Sequence, residues 1–146
     1  MPARPWNGRG SKARSSVPEP EFPKQELELQ PVPDSVPIAR RFVLDLDFAS
    51  RSDPDLLALL TAEIVTNAIL HARTSLRLVA TQVDGGVRVA VSDGSPSPPV
   101  VKNYGVNSPT GRGLHIVKAL ANRWGFDRSE GGKTVWFELD GQELEI

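Results

Sequence analysis

The spacing of hydrophobic residues predicts three elements in the first half of the chain. Residues 26–30 alternate polar and apolar side chains, as an edge strand does. Ser35 is predicted to cap a first helix, with Pro37 in its first turn. Asp53-Pro54 repeats this signal and predicts a second helix that runs to about His71. The apolar stripes of the two helices are Val36, Ala39, Phe42, Val43 and Leu46, and Leu56, Leu57, Leu60, Ile64 and Ala68.

Apolar side chains at every second position then predict two strands joined as a hairpin. Residues 76–80 and 87–91 alternate apolar and polar side chains, and Asp84-Gly85-Gly86 between them is a turn signal. The second strand is predicted to end at Asp93-Gly94-Ser95. Residues 96–110 are rich in proline and glycine and are predicted to form a loop suited to a mobile lid.

The last part of the chain predicts a helix and two strands. Gly111 is expected to begin the helix, whose apolar face is Leu114, Val117, Leu120 and Ala121. Trp124-Gly125 is expected to close it, with Gly125 just beyond the last turn. Residues 135–139 alternate in a final strand. The whole order predicts an α+β fold, a two-layer sandwich with helices on one face of a mainly antiparallel sheet.

Composition divides the chain and excludes several classes of function. Residues 1–25 are rich in proline and basic residues and are predicted to be a disordered tail. Residues 26–141 are predicted to be one domain, and 142–146 a C-terminal tail. The net charge of -1 favours neither direct nucleic-acid binding nor an acidic membrane. The absence of cysteine excludes disulfides and thiolate metal sites, so the cytoplasm is the expected location.

Two further classes are not expected. No run approaches the length of a membrane span, and no apolar core follows the basic N-terminal residues as it would in a secretory signal. With only His71 and His115, a His-rich metal cluster is not expected either.

Glu63 and Asn67 form the first candidate site. They lie four residues apart in the second predicted helix and therefore share a face. An asparagine oxygen suits a hard cation, and a glutamate can accept a proton. The spacing alone favours a simpler interpretation, an exposed polar pair.

Three glycine-containing segments are weaker candidates. Asp93-Gly94-Ser95 ends a strand, where a carboxylate could accept hydrogen bonds from the amine of a base, although the same residues form good turns. Residues 110–114, Thr-Gly-Arg-Gly-Leu, precede a helix whose N–H groups could bind phosphate, with Arg112 adding charge; a glycine-rich hinge is the alternative. Thr134 follows Gly131-Gly132-Lys133 and could direct its hydroxyl into a pocket, or serve only as a strand residue.

Taken together, these segments resemble the GHKL ATPase superfamily. The series is Glu63-x-x-x-Asn67, Asp93-Gly94-Ser95, Gly111-x-Gly113-Leu114 and Gly132-Lys133-Thr134. Within that superfamily the chain looks like the small anti-sigma-factor serine kinases and their actinobacterial relatives, over roughly residues 26–140. Relatives in this branch often form dimers, so a homodimer is one expected assembly.

The resemblance implies a role for each residue. Asn67 resembles the ligand of Mg²⁺, and Glu63 resembles the general base. Asp93, with Gly94 beside it, resembles the carboxylate that recognises adenine, and Thr134 resembles the hydroxyl that supports adenine. The remaining ATP-binding positions implied are Gly111, Arg112, Gly113 and Leu114. His71 resembles a family position near the asparagine.

The sequence departs from the family pattern at two places. Ser95 stands where the first glycine box usually has its glycine, and Ser108-Pro109-Thr110 lacks the acidic residue that often precedes the second box. ATP binding is therefore a firmer expectation than phosphoryl transfer.

Three functions follow from the resemblance. The leading hypothesis is a serine/threonine kinase that uses ATP and Mg²⁺ to phosphorylate a small anti-sigma-antagonist protein, with a sigma factor as a further partner. The alternative is a non-catalytic protein-interaction module that binds ATP. A histidine-kinase fragment is disfavoured, because both histidines lie inside the ATP motifs.

Overall fold

A computed structural model describes residues 22–72, 74–94, 109–129 and 131–142. Residues 1–21 of the predicted tail lie outside the described residues, and so do Ser95, residues 96–108 of the predicted lid and the last four residues. The first strand starts at Lys24, two residues before the predicted boundary at Glu26.

Five strands form one sheet in which every described pairing is antiparallel. Their spatial order is β1-β2-β3-β5-β4. The predicted hairpin is present, with Gly85 at a φ of 76° in its turn. The strands are β1 (Lys24–Leu29), β2 (Leu76–Val83), β3 (Gly86–Asp93), β4 (Arg123–Ser129) and β5 (Gly132–Asp140).

Two helices and a short 3₁₀ helix connect β1 to β2. The helices are α1 (Ser35–Leu44) and α2 (Pro54–Ala72), and the 3₁₀ helix is Asp47–Ala49. Asp53 caps α2 as predicted, because its Oδ1 accepts hydrogen bonds from the backbone N–H groups of Asp55 and Leu56 at 3.0 and 3.3 Å. The predicted cap at Ser35 is wrong: Ser35 is the first helical residue, and its hydroxyl donates to the Gln30 carbonyl at 2.7 Å.

The third helix begins and ends earlier than predicted. It is α3 (Pro109–Leu120), so Pro109 occupies its first turn. Gly125 does not end this helix but lies in β4 opposite Trp136. A Cβ at Gly125 would come within 2.9 Å of the Trp136 indole, so this glycine makes room for an aromatic ring from the neighbouring strand.

The core lies between the helices and one face of the sheet. The fully buried side chains on that face include Leu78, Val89 and Phe137, and α2 covers them with Leu57, Leu60, Ile64 and Val65. This arrangement is the predicted two-layer α+β sandwich. Contrary to expectation, α2 is long and apolar enough to cross a membrane by length and composition, but its buried stripe packs against α1, α3 and the sheet.

The other face of the sheet carries a polar network centred on Glu138. Its carboxylate accepts hydrogen bonds from Arg123 Nε at 2.6 Å and Arg88 Nη1 at 2.8 Å. The Arg88 guanidinium also stacks 3.9 Å from the centre of the Trp136 ring. Burial raises the pKa of Glu138, but the two arginine hydrogen bonds outweigh it and leave that pKa below its ordinary value.

Replacing Glu138 by glutamine should make the free energy of unfolding less sensitive to acid. A carboxyl whose pKa is lowered by folding contributes stability above its ordinary pKa, and that contribution disappears as the pH falls through the folded-state pKa. We expect the substitution to cost roughly 1 kcal/mol near neutral pH and clearly less near pH 3, below the ordinary pKa of the carboxyl.

Urea unfolding of both proteins across this pH range measures the difference. The exposed Glu28→Gln serves as the matched control, and its difference should stay small and constant. A Glu138→Gln penalty that persists unchanged at pH 3 would contradict the ion-pair assignment.

Candidate functional site

Strand register brings three chain segments together at one end of the sheet. Asp93, the last residue of β3, lies opposite Leu76 of β2 on one side and Lys133 of β5 on the other. Asp93 and Lys133 share the strand parity of the buried residues Val91 and Val135, so both direct their side chains toward the helical layer. The C-terminus of α2 leads directly to this end of the sheet, because only three residues separate Ala72 from Leu76, the first residue of β2.

Asp93 and Lys133 form a buried ion pair at this end of the sheet. The Lys133 Nζ lies 3.3 Å from Oδ2 and 3.4 Å from Oδ1 of Asp93, and the two side chains are 1% and 2% exposed. Each of the two groups needs the other as a partner at this depth, because a buried charge without a partner is strongly unfavourable. Asp93 is predicted from the sequence as a site residue and Lys133 is not, although Lys133 shares the parity of the buried positions of β5.

Gly132 allows the two strands to approach closely beside this pair. Its φ is 153°, and a Cβ built on it would lie 1.9 Å from the Asp93 carbonyl oxygen. Gly94 is less constrained, because its Cβ would make only ordinary contacts of 3.6 Å or more with Thr74 and Gly131. The Gly94 N–H donates to the Thr74 hydroxyl at 2.9 Å, which ties the end of β3 to the segment after α2.

The C-terminal half of α2 carries the remaining candidates. Asn67 is buried and Glu63, one turn earlier, is half-buried. Both residues take part in interactions, and so does His71, one turn after Asn67. Glu63 and Asn67 are therefore not the exposed polar pair that their spacing alone favours. A polar asparagine kept at 2% exposure inside an apolar stripe indicates a specific role for its amide.

The first turn of α3 supplies backbone N–H groups that the helix does not use internally. Gly111, Arg112 and Gly113 lie within the first five residues of α3 rather than before it. A helix N-terminus favours anions through these N–H groups and the helix dipole. Leu114 is fully buried and anchors this turn in the core. The side chain of Arg112 lies outside the described part of the structure.

Thr134 is not brought to Asp93. It alternates with Lys133 and therefore lies on the opposite face of the sheet, where its hydroxyl is 2.7 Å from that of Ser92. Its predicted role beside adenine consequently has no support from the geometry, because the sheet itself separates the Thr134 hydroxyl from the Asp93 carboxylate. Lys133 occupies the place that the prediction gave to Thr134.

Two other features bear on ligands. Among the described residues, no group of three or more His, Cys, Asp or Glu could hold a metal ion. A cavity of about 420 Å³ lies near the other end of α2, lined by residues from Val43 to Leu57. From the helical rise, Pro54 and Asn67 are about 20 Å apart, so this cavity is separate from the candidate site.

A comparison with known protein families bears on whether the glycine-containing segments and the Glu63–Asn67 pair belong to a nucleotide-binding domain. Residues 29–139 match the family described as the histidine kinase-like ATPase domain. The chain belongs to this family. Because the match spans the elements from β1 to β5, the expected GHKL-type ATPase is confirmed, and the family's name supports ATP as the ligand of the site.

Two solved structures resemble this ATPase domain. The crystal structure of the RsbU and RsbW domains of Rv1364c from Mycobacterium tuberculosis aligns with a TM-score of 0.57 at 18% identity, over 84% of this chain and 33% of that one. This likeness supports the fold, and the present chain spans about a third of the mycobacterial one. The histidine kinase domain of a blue-light activated kinase from Erythrobacter litoralis EL346 aligns at 24% identity over 59% of this chain and 46% of that one, with a TM-score of 0.44 that is too low to carry an argument. No curated protein sequence matches the chain.

Gly132→Ala should destabilise the ATPase domain at the candidate site. The added methyl would collide with backbone of β3, which cannot move aside as a flexible side chain can. We expect a loss of about 2 kcal/mol or more in the free energy of unfolding. Thermal and urea unfolding measure this loss.

The matched control is Gly131→Ala, where nothing lies within 4 Å of the new methyl. It should change stability by less than about 0.5 kcal/mol. Equal stability of the two variants would show that the close approach of Gly132 to Asp93 is not a constraint.

Proposed function

We propose that the chain binds ATP with Mg²⁺ between α2, the start of α3 and the Asp93 end of the sheet, and transfers the terminal phosphoryl group to a serine or threonine. The substrate would be a small anti-sigma-antagonist protein, and a sigma factor would be the regulated partner. Membership in the histidine kinase-like ATPase family supports the nucleotide. The observation that carries the proposal is the buried Asp93 carboxylate, held on the helix-facing side of the sheet at the end of β3.

Asp93 suits the base end of the ligand. A buried carboxylate offers acceptors only, and the exocyclic amine of adenine offers donors. The core between the helical layer and the sheet is apolar, and such surroundings suit the planar, largely apolar faces of a purine.

Asn67 and the first turn of α3 suit the phosphate end. Mg²⁺ keeps several waters and needs few protein oxygens, so one asparagine oxygen together with phosphate oxygens forms an adequate set. The N–H groups of Thr110 and Gly111, which come before the first intrahelical donors of α3, would contact phosphate oxygens directly.

Glu63 suits the transfer step. It lies one turn before Asn67 and is half-buried, so its carboxylate can face the same ligand. In the proposed step it accepts the proton of the attacking hydroxyl as the new oxygen–phosphorus bond forms. The bond to the bridging oxygen breaks, and ADP leaves with that electron pair. Phosphoryl transfer of this kind depends mostly on positioning and on charge neutralisation.

Glu63→Gln and Asn67→Ala should separate binding from transfer. Glu63→Gln should keep ATP binding within about threefold and reduce phosphoryl transfer by a factor of about 100 or more, since general-base catalysis contributes that much. Asn67→Ala should weaken Mg²⁺-dependent ATP binding by about tenfold or more. Calorimetry with and without EDTA measures binding, and radiolabelled γ-phosphate measures transfer to each small antagonist protein of the source organism.

Thr61→Val is the control for disturbing the buried side of α2. The hydroxyl of Thr61 is buried and has no hydrogen-bond partner among the described residues, so its removal should leave binding and transfer unchanged. ATP binding without transfer to any antagonist by the unaltered protein would replace the kinase by an ATP-dependent interaction module, the function that Ser95 in the first glycine box favours.

A further inference from the structure

Lys133 is a buried cation that the proposed ATP site does not yet explain. Its Nζ lies almost equally far from both oxygens of Asp93, at 3.3 and 3.4 Å. Tight charge-assisted contacts between an ammonium and a carboxylate measure about 2.7–2.9 Å. The observed distances therefore describe an ion pair that is close but not tightly hydrogen-bonded.

The pair presents a donor beside an acceptor. An ammonium has three N–H donors and a carboxylate has about four acceptor positions, so each can contact the other and a third group at once. Adenine has the complementary pattern, because a ring nitrogen that accepts lies on either side of the amine that donates. A water or a hydroxyl would be a weaker donor to that nitrogen than an ammonium.

We infer that Lys133 is a specificity-determining residue that donates a hydrogen bond to a ring nitrogen of adenine next to the amine bound by Asp93. This inference rests on the proposed ATP site and adds to it a direct, charged contact with the base. The position of Lys133 supports this assignment, since β3–β5 pairing places it opposite Asp93 and its side chain is 1% exposed on the same face.

Adenine is favoured over guanine by the family of the chain rather than by the pair alone. Guanine also has a donor next to an acceptor, since its N1–H lies beside its carbonyl oxygen. The experiment must therefore include both bases.

The test is competitive binding of ATP, 1-deaza-ATP, 7-deaza-ATP and GTP to the unaltered protein and to Lys133→Met. One of the two deaza analogues should bind the unaltered protein about tenfold or more weakly than ATP, because a hydrogen bond to a charged group is lost. Lys133→Met should bind the same analogue less than about threefold more weakly than ATP, because methionine cannot donate a hydrogen bond to the ring nitrogen. GTP should bind more weakly than ATP.

The control is Lys24→Met, which replaces an exposed lysine at the start of β1. This variant should prefer ATP to the deaza analogue as strongly as the unaltered protein does. If Lys133→Met does not fold, Lys133→Gln keeps a polar group beside Asp93, and its discrimination should fall by about threefold or more with the loss of the charge.

Other outcomes overturn the inference. Equal binding of ATP and both deaza analogues would show that Lys133 contacts no ring nitrogen, while leaving ATP binding intact. If the Lys133 variant still preferred ATP to the deaza analogue as strongly as the unaltered protein does, another group would make the contact with the ring nitrogen. Tighter but unselective nucleotide binding by that variant would show that the Lys133 side chain blocks the site. Preference of the unaltered protein for GTP would assign the Asp93–Lys133 pair to guanine. Failure of ATP itself to bind would instead contradict the proposed function.

Discussion

The burial of opposite charges on Asp93 and Lys133 is the constraint on which the candidate site depends. Removing two ions from water costs several kcal/mol each, and only a well-placed partner offsets this cost. The β3–β5 register places the two residues opposite each other, and Gly132 lets the strands approach beside them. The same register aligns the buried valines of β3 with the buried residues of β5, so an error in pairing would disturb the core and the charge pair together.

Helix α2 joins the core to the site. Its N-terminal half is held by the Asp53 cap and by leucines packed on the sheet, whereas its C-terminal half carries Glu63 and Asn67 at the level of the site. A rigid helix therefore positions the groups proposed to act on phosphate and metal. The base and the phosphates would be bound by different elements, the sheet end and the two helices, and all of these elements lie within the residues 29–139 of the family match.

Local patterns predicted most of the fold, and long-range contacts account for the errors. Alternating valines and the Asp84-Gly85 turn predicted the hairpin, and Asp53 predicted the start of α2. Gly125 was misassigned because a glycine after an apolar run resembles a helix end, whereas its real role is to accommodate the Trp136 indole. Thr134 was predicted because its hydroxyl suits a pocket and resembles a family position, but strand alternation puts it on the far face. A buried lysine becomes plausible only when the opposing carboxylate is known.

The most direct test of the account is calorimetric titration of Mg²⁺-ATP into the unaltered protein and into Asp93→Asn. The asparagine keeps the shape of the side chain but loses the charge and half of its acceptor capacity. The account predicts measurable binding by the unaltered protein and binding weakened by about tenfold or more in the variant. Equal affinities, or no binding at millimolar ATP by a folded unaltered protein, would contradict the assignment of this sheet end as a nucleotide site.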